Sequence, residues 1–135
     1  GKSIPFIENI SKAAKLIGIA FQVRDDLLDY GVSKGNIGKP EMQDILEDKI
    51  TYPLYFALKY SNKKDSSKIL KKLKNKDFSI EEVADFVSSS NAFNKCNSLI
   101  QNYSNEISKC INQISNKEIR DEMLNLSESL KNRYE

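Results

Sequence analysis

Apolar positions along this chain recur at intervals of three and four almost everywhere, a pattern that predicts helices and little else. Between Phe6 and Tyr30, Ile7, Ile10, Ala14, Ile17, Phe21 and Leu28 form one stripe, and Ala13, Leu16, Ala20 and Leu27 form a second. The helix is therefore apolar on most sides in its second half, and such a helix belongs in the middle of a bundle. Gly31 to Lys39, with three glycines, reads as a loop, and Met42 to Leu46 as a short turn of helix. "TYPLYFALKY" predicts a helix opened by Thr51, with Pro53 in its first turn, where a missing amide costs nothing.

Further along, Ser79 and Glu82 stand at capping-box spacing ahead of Val83, Phe86 and Val87. A long amphipathic helix then carries Cys96, Leu99, Ile100, Tyr103, Ile107, Cys110, Ile111 and Ile114 on one side. The last helix carries Ile119, Met123, Leu126, Leu130 and Tyr134. Between these helices, Lys59 to Lys76 holds eight lysines against one aspartate, with Ile69, Leu70 and Leu73 as its apolar anchors. That stretch reads either as a solvated connecting helix or as a docking patch for an anionic surface or partner. The expected fold class is all-α, a helical bundle formed by one domain over residues 1–135.

Composition narrows the function. The 135 residues carry a net charge of only +2, with the two signs mixed and 9% aromatics, which argues against a dedicated nucleic-acid surface. No signal-peptide pattern and no long apolar run predicts a transmembrane segment. Cys96 and Cys110, fourteen residues apart on one helix face, are separated by roughly 21 Å and cannot form a disulfide. They read as core thiols in an intracellular compartment, cytoplasmic or organellar (mitochondrial or plastid). The chain has no histidine, so any catalysis must use carboxylates, lysines and metal ions. An apolar helix pattern beginning within a few residues of Gly1 leads to the expectation that this is part of a longer chain.

The candidate chemistry lies at the end of the first helix. Asp25 and Asp29 share a face and Asp26 lies about 100° around from Asp25. Like charges at this spacing repel, and anions at a helix C-terminus oppose the dipole. Two readings remain on pattern alone. Hard oxygen ligands facing a cavity suit Mg²⁺, which leans on one or two carboxylates plus substrate phosphates; alternatively Arg24 turns the cluster into a surface ion-pair network. Lys39, Asp44 and Lys49 follow at intervals of five and can converge on the helix end. Lysine donors suit phosphate oxygens, so metal-holding aspartates facing lysines form a diphosphate clamp. "GKS" at Gly1 lacks the upstream glycine and strand of a phosphate loop, "GNIGK" fails the same spacing, and the aspartates do not match a calcium-binding loop.

"GIAFQVRDDLLDY", then "IGKP", then "DILEDKITYPLYFAL", is similar to the second half of a trans-isoprenyl diphosphate synthase, of the polyprenyl synthetase family. The match covers the second aspartate-rich motif with its preceding Phe-Gln, the Gly-Lys-Pro loop and the D-x-x-x-x-K-x-T-x-P stretch. The resemblance implies the C-terminal part of an isoprenoid-synthase fold and a Mg²⁺-dependent condensation of an allylic diphosphate with isopentenyl diphosphate. By that resemblance Asp25 and Asp29 ligate Mg²⁺, Asp26 assists, and Asp44 supports through water. Lys39 and Lys49 bind diphosphate, Gln22 faces the reacting centre, Phe21 lines the prenyl cavity, and Thr51 holds the Lys49 segment. It further implies a homodimer as the full-length enzyme, and a medium or long polyprenyl product.

Two positions depart from the family pattern: Asp48, where glycine often precedes the lysine, and Arg24, where an apolar residue is usual. The first aspartate-rich motif and its arginines are absent from these residues, so the chain alone is expected to be inactive. The alternatives are a related terpenoid synthase, a non-catalytic regulatory subunit of a heteromeric prenyl synthase and a plain helical interaction domain.

Overall fold

Seven helices follow one another among the described residues of the computed structural model, which are 4–33, 36–37, 42–47 and 49–134. They are α1 (Ile4–Asp29), α2 (Gln43–Leu46), α3 (Tyr52–Tyr60), α4 (Lys63–Lys74), α5 (Ile80–Ser89), α6 (Ala92–Asn112) and α7 (Lys117–Tyr134). The all-α reading holds, with one addition. Where the sequence reads as loop, β1 (Val32–Ser33) and β2 (Asn36–Ile37) pair antiparallel, with Val32 opposite Ile37. Strands of two residues are too short for an alternating pattern to announce them.

The helix starts follow local chemistry. Pro53 sits in the first turn of α3, after Thr51 at the N-cap. Ser79 caps α5 by accepting from the Glu82 amide at 3.0 Å. The lysine-rich stretch divides into two helices at Ser61 and Asn62. There the Asn62 side chain accepts from the Asp65 amide and donates to the Asp65 carboxylate, each at 2.8 Å. Asp65 in the first turn of α4 and Lys71, Lys72 and Lys74 in its last turn complement the helix dipole.

Two compact units divide the chain, one comprising residues 1–24 and 98–135 and the other residues 25–97. In the first, Ala13, Ile17, Ile107, Cys110 and Ile111 form a core, with Leu16, Phe21, Tyr103 and Met123 packed against it. Asn116 caps α7 through the Ile119 amide at 3.1 Å, and Arg120 reaches back to the Ile114 carbonyl at 3.3 Å. The buried line of α1 is Ala13, Ile17, Ala20, Val23 and Leu27, whereas Ile7 and Ala14 are exposed. From Ala20 to Asp29 every position of α1 except Gln22 is buried or half-buried, so the second half of the helix is covered on most sides, as its apolar pattern implies, while the first half buries one face.

In the second unit α3 packs against α4 and α5, and Leu27, Met42, Leu54, Val83, Val87 and Cys96 are fully buried. Lys72 and Glu82 join α4 to α5 through an ion pair, which holds the Glu82 carboxyl below its ordinary range. Both cysteines are free and buried, and burial, with a smaller contribution from Asp26, pushes the Cys96 thiol up to about 12. Neither is expected to react with a water-soluble disulfide reagent at pH 8 in the native state, and both are expected to react in denaturant. Rapid native labelling of Cys96 would contradict this placement.

Candidate active site

α1 ends in Asp25, Asp26 and Asp29 with no basic residue in its last turn. The structure resolves the apparent electrostatic fault by giving two of these aspartates to the N-termini of other helices. Asp29 accepts from three consecutive amides: its carbonyl from Met42 at 3.1 Å, Oδ1 from Gln43 at 3.0 Å, and Oδ2 from Asp44 at 3.5 Å. α2 has no cap of its own, because Met42 at its N-cap position offers no side-chain acceptor. Asp29 supplies the missing acceptor from fourteen residues upstream. Met42 is also fully buried at φ 56°, a left-handed conformation that costs a residue with a Cβ about 1–2 kcal/mol. The amides bound by Asp29 and the buried thioether side chain hold it there.

Asp26 does the same for α3. Its Oδ2 accepts from the Tyr52 amide at 3.0 Å, and the residue is only 2% exposed. Thr51, the N-cap of α3, makes no cap bond of its own. Its side chain is hydrogen-bonded instead to the buried Tyr30 hydroxyl, whose ring meets Phe93 edge-on with centroids 5.9 Å apart. Burial raises the Tyr30 pKa above the ordinary tyrosine range; Thr51 opposes the shift and Asp29, Asp26 and Cys96 add to it. Tyr30 is therefore a neutral hydroxyl at any physiological pH. Two links, Asp26 to Tyr52 and Tyr30 to Thr51, thus tie the end of α1 to the start of α3.

Lys49 lies two residues before Thr51 and is exposed. Its amide donates to the Asp44 carbonyl at 2.9 Å, and its ammonium pairs with Glu47 at 3.0 Å. The Glu47 hydrogen bond and charge, with Asp44 behind them, raise its pKa above the ordinary lysine range. Asp29, Asp44 and Lys49 are thereby linked through the backbone, while Asp25 and Asp44 remain half-exposed. Lys39 and Asp48 lie outside the described residues. Phe21 and Gln22 belong to the preceding turn of α1, in the other unit, where Gln22 is exposed and Phe21 is half-buried.

Arg24 is 7% exposed, so it is a buried residue and not a surface one. Sequence reasoning missed Tyr30, Met42 and Glu47. Tyr30 had a signal, because it stands four residues after Asp26 on one helix face and a buried tyrosine hydroxyl requires a partner. Met42 had none, since nothing in its own side chain marks a left-handed position.

Among the described residues, no three Asp, Glu, His or Cys side chains converge as a metal cluster. The donor set at the helix end is oxygen only, however, with Asp25 and Asp29 one turn apart and Asp26 committed to α3. Two carboxylates of this kind fit a hard cation that keeps waters and completes its shell with phosphate oxygens.

The architecture around these residues is that of a known all-α class. An apo Arabidopsis medium/long-chain length prenyl pyrophosphate synthase superposes with a TM-score of 0.81 at 18% identity, covering 100% of this chain and 46% of that one, which shows the isoprenoid-synthase fold. A family model described as "Polyprenyl synthetase" matches residues 2–90, and the chain belongs to that family.

Among its relatives, the heterodimeric geranylgeranyl pyrophosphate synthase large subunit 1, chloroplastic, of Arabidopsis thaliana is 43% identical over 61 residues, 45% of this chain and 16% of that protein. The short chain isoprenyl diphosphate synthase of Methanocaldococcus jannaschii is 35% identical over 80 residues, 59% of this chain and 24% of that protein. The "Probable hexaprenyl pyrophosphate synthase, mitochondrial" of Yarrowia lipolytica is 28% identical over 134 residues, 98% of this chain and 29% of that protein. The chain thus spans less than a third of the length of each of these relatives.

Proposed function

We propose that this chain supplies the second aspartate-rich half of a trans-prenyltransferase site, in which an allylic diphosphate is condensed with isopentenyl diphosphate. The observation that carries the reading is the anchoring of one acidic helix end to two neighbouring segments. Asp29 binds the start of α2, Asp26 binds the start of α3, and the intervening backbone presents Lys49. Family membership supports the same reading.

Asp25 and Asp29 would hold Mg²⁺, with Asp44 supporting through water, and Lys49 and Lys39 would bind diphosphate oxygens. When bound, the ion neutralises diphosphate charge and eases its departure. Asp26 and Thr51 fix the start of α3 and with it the approach of Lys49. Gln22 would face the reacting carbon and Phe21 would line the prenyl chain's path. The full-length enzyme would act as a homodimer.

A turnover assay with allylic and isopentenyl diphosphates and Mg²⁺ tests the assignment. The full-length protein is expected to elongate the allylic substrate, to stop on chelation and to resume on Mg²⁺ addition. The 135 residues alone are expected to be inactive, because one carboxylate cluster is half of the clamp. Turnover by them alone would sink that claim.

The buried Arg24, together with Asp48, keeps a second reading in view, a regulatory subunit of a heteromeric synthase. An upstream sequence without an aspartate-rich motif, and a full-length protein that is inactive alone but stimulates a partner synthase, would favour it.

A further inference from the structure

A cavity of about 360 Å³ is lined by Ile45, Leu70, Leu73 and Phe78, with Lys49, Lys74 and Lys76. Its volume lies within the range of small-ligand pockets, about 300–1,000 Å³. The chemistry of its lining is one-sided: the charged groups are all ammonium, and no carboxylate is among the described lining residues. Ile50, also in the lining, is 61% exposed and Leu70 is 46% exposed, so apolar surface lies open beside the lysines.

The charge on α4 is also asymmetric. Lys72 is bound to Glu82, and Lys68 lines a groove with Glu82 and Asp85, so that side of the helix is balanced by α5. Lys63, Leu70 and Lys74 recur at seven and four residues, placing them on a common stripe, with Lys64 and Lys71 next to it. Among the described residues, Lys63, Lys64, Lys71 and Lys74 form no ion pair.

We propose that this face of α4, together with the apolar cavity beside it, seats the chain on an anionic membrane surface. Lysines on an amphipathic helix draw in anionic headgroups, and the exposed Leu70 and Ile50 enter the boundary between headgroups and acyl chains. The open cavity then accepts an acyl segment. A nucleic acid matches this face less well, because it would leave the apolar residues and the cavity without a partner and the lysines are not interleaved with stacking aromatics. None of the described helices is long and apolar enough to cross a membrane, so the attachment is peripheral. The cavity shares Lys49 with the proposed diphosphate site, but the α4 face and the variants that test it lie outside that site.

Co-sedimentation of the 135-residue chain with phosphatidylcholine vesicles, with and without phosphatidylserine, tests it. Binding is expected only with phosphatidylserine and is expected to weaken as salt rises. The triple variant Lys64→Gln, Lys71→Gln, Lys74→Gln is expected to lower partitioning about a hundredfold. Leu70→Ser is expected to lower it about tenfold at every salt concentration. All four positions are exposed, so unchanged far-ultraviolet circular dichroism is expected to show that the variants fold. Equal binding to both vesicle types, or none to either, overturns the proposal. So does wild-type partitioning by Leu70→Ser, which would reduce the effect to plain charge attraction, or tighter binding to duplex DNA than to the vesicles.

Discussion

Replacing Asp25 or Asp29 by alanine in the full-length enzyme is expected to lower prenyl transfer by about a hundred- to a thousandfold, the usual loss when one group that stabilises departing charge is removed. The two substitutions test different things. Asp25 is half-exposed on the last turn of α1, and its expected role is to hold the metal. Asp29 has a second task, because its carboxylate also receives the Gln43 and Asp44 amides.

Asp29→Asn separates the two tasks, since an amide oxygen can still accept from Gln43 while the negative charge is gone. If the carboxylate holds Mg²⁺, Asp29→Asn is expected to be nearly as impaired as Asp29→Ala, and both should require more Mg²⁺ for half-maximal rate. Near-normal turnover by Asp29→Asn with loss in Asp29→Ala would reduce Asp29 to a helix cap and reject its assignment as a ligand.

The sequence made the helices legible because each carries its own local instructions. The Ser79 cap, Pro53 after Thr51, and the three-and-four spacing of α6 all act within one turn and need no tertiary partner. The division of the lysine-rich stretch at Asn62 was equally local, but its signal was one asparagine bonded to one aspartate, faint beside the surrounding lysines. The aspartate cluster was visible as a conflict: three like charges where the helix dipole disfavours them. What the pattern could not show is how the conflict divides.

Asp26 and Asp29 reach amides twenty-six and fifteen or fewer residues away, at the positive ends of α3 and α2. Partners at that range are set by the fold and leave no periodic trace. For the same reason Tyr30 went unnoticed, as its partner Thr51 lies across the unit rather than along the helix. Asp26 therefore faces inward to build the scaffold, Asp25 bears only the expected chemistry, and Asp29 is given both tasks.

That division predicts a stability effect where a purely catalytic reading predicts none. Asp26→Ala is expected to destabilise the chain by about 2–3 kcal/mol, because it removes a helix cap and leaves the Tyr52 amide without its acceptor. In a domain of this size such a loss corresponds to about a 10 °C fall in Tm. The opposing consideration is the cost of burying a carboxylate, which can make its replacement by an apolar group nearly neutral. Here the first effect should win, because the carboxylate accepts from the first turn of a helix, where amide donors and the helix dipole both favour an anion.

Asp26→Asn keeps an acceptor oxygen and is expected to lose less than half as much stability. Urea denaturation of the wild-type chain and the two variants, followed by circular dichroism, checks the ordering. In the full-length enzyme Asp26→Asn is also expected to retain more activity than Asp25→Ala, since it preserves the link that positions Lys49 without touching the expected ligands. Asp26→Ala within about 0.5 kcal/mol of wild type, the range of an ordinary surface substitution, would show that the Tyr52 bond does not hold α1 to α3.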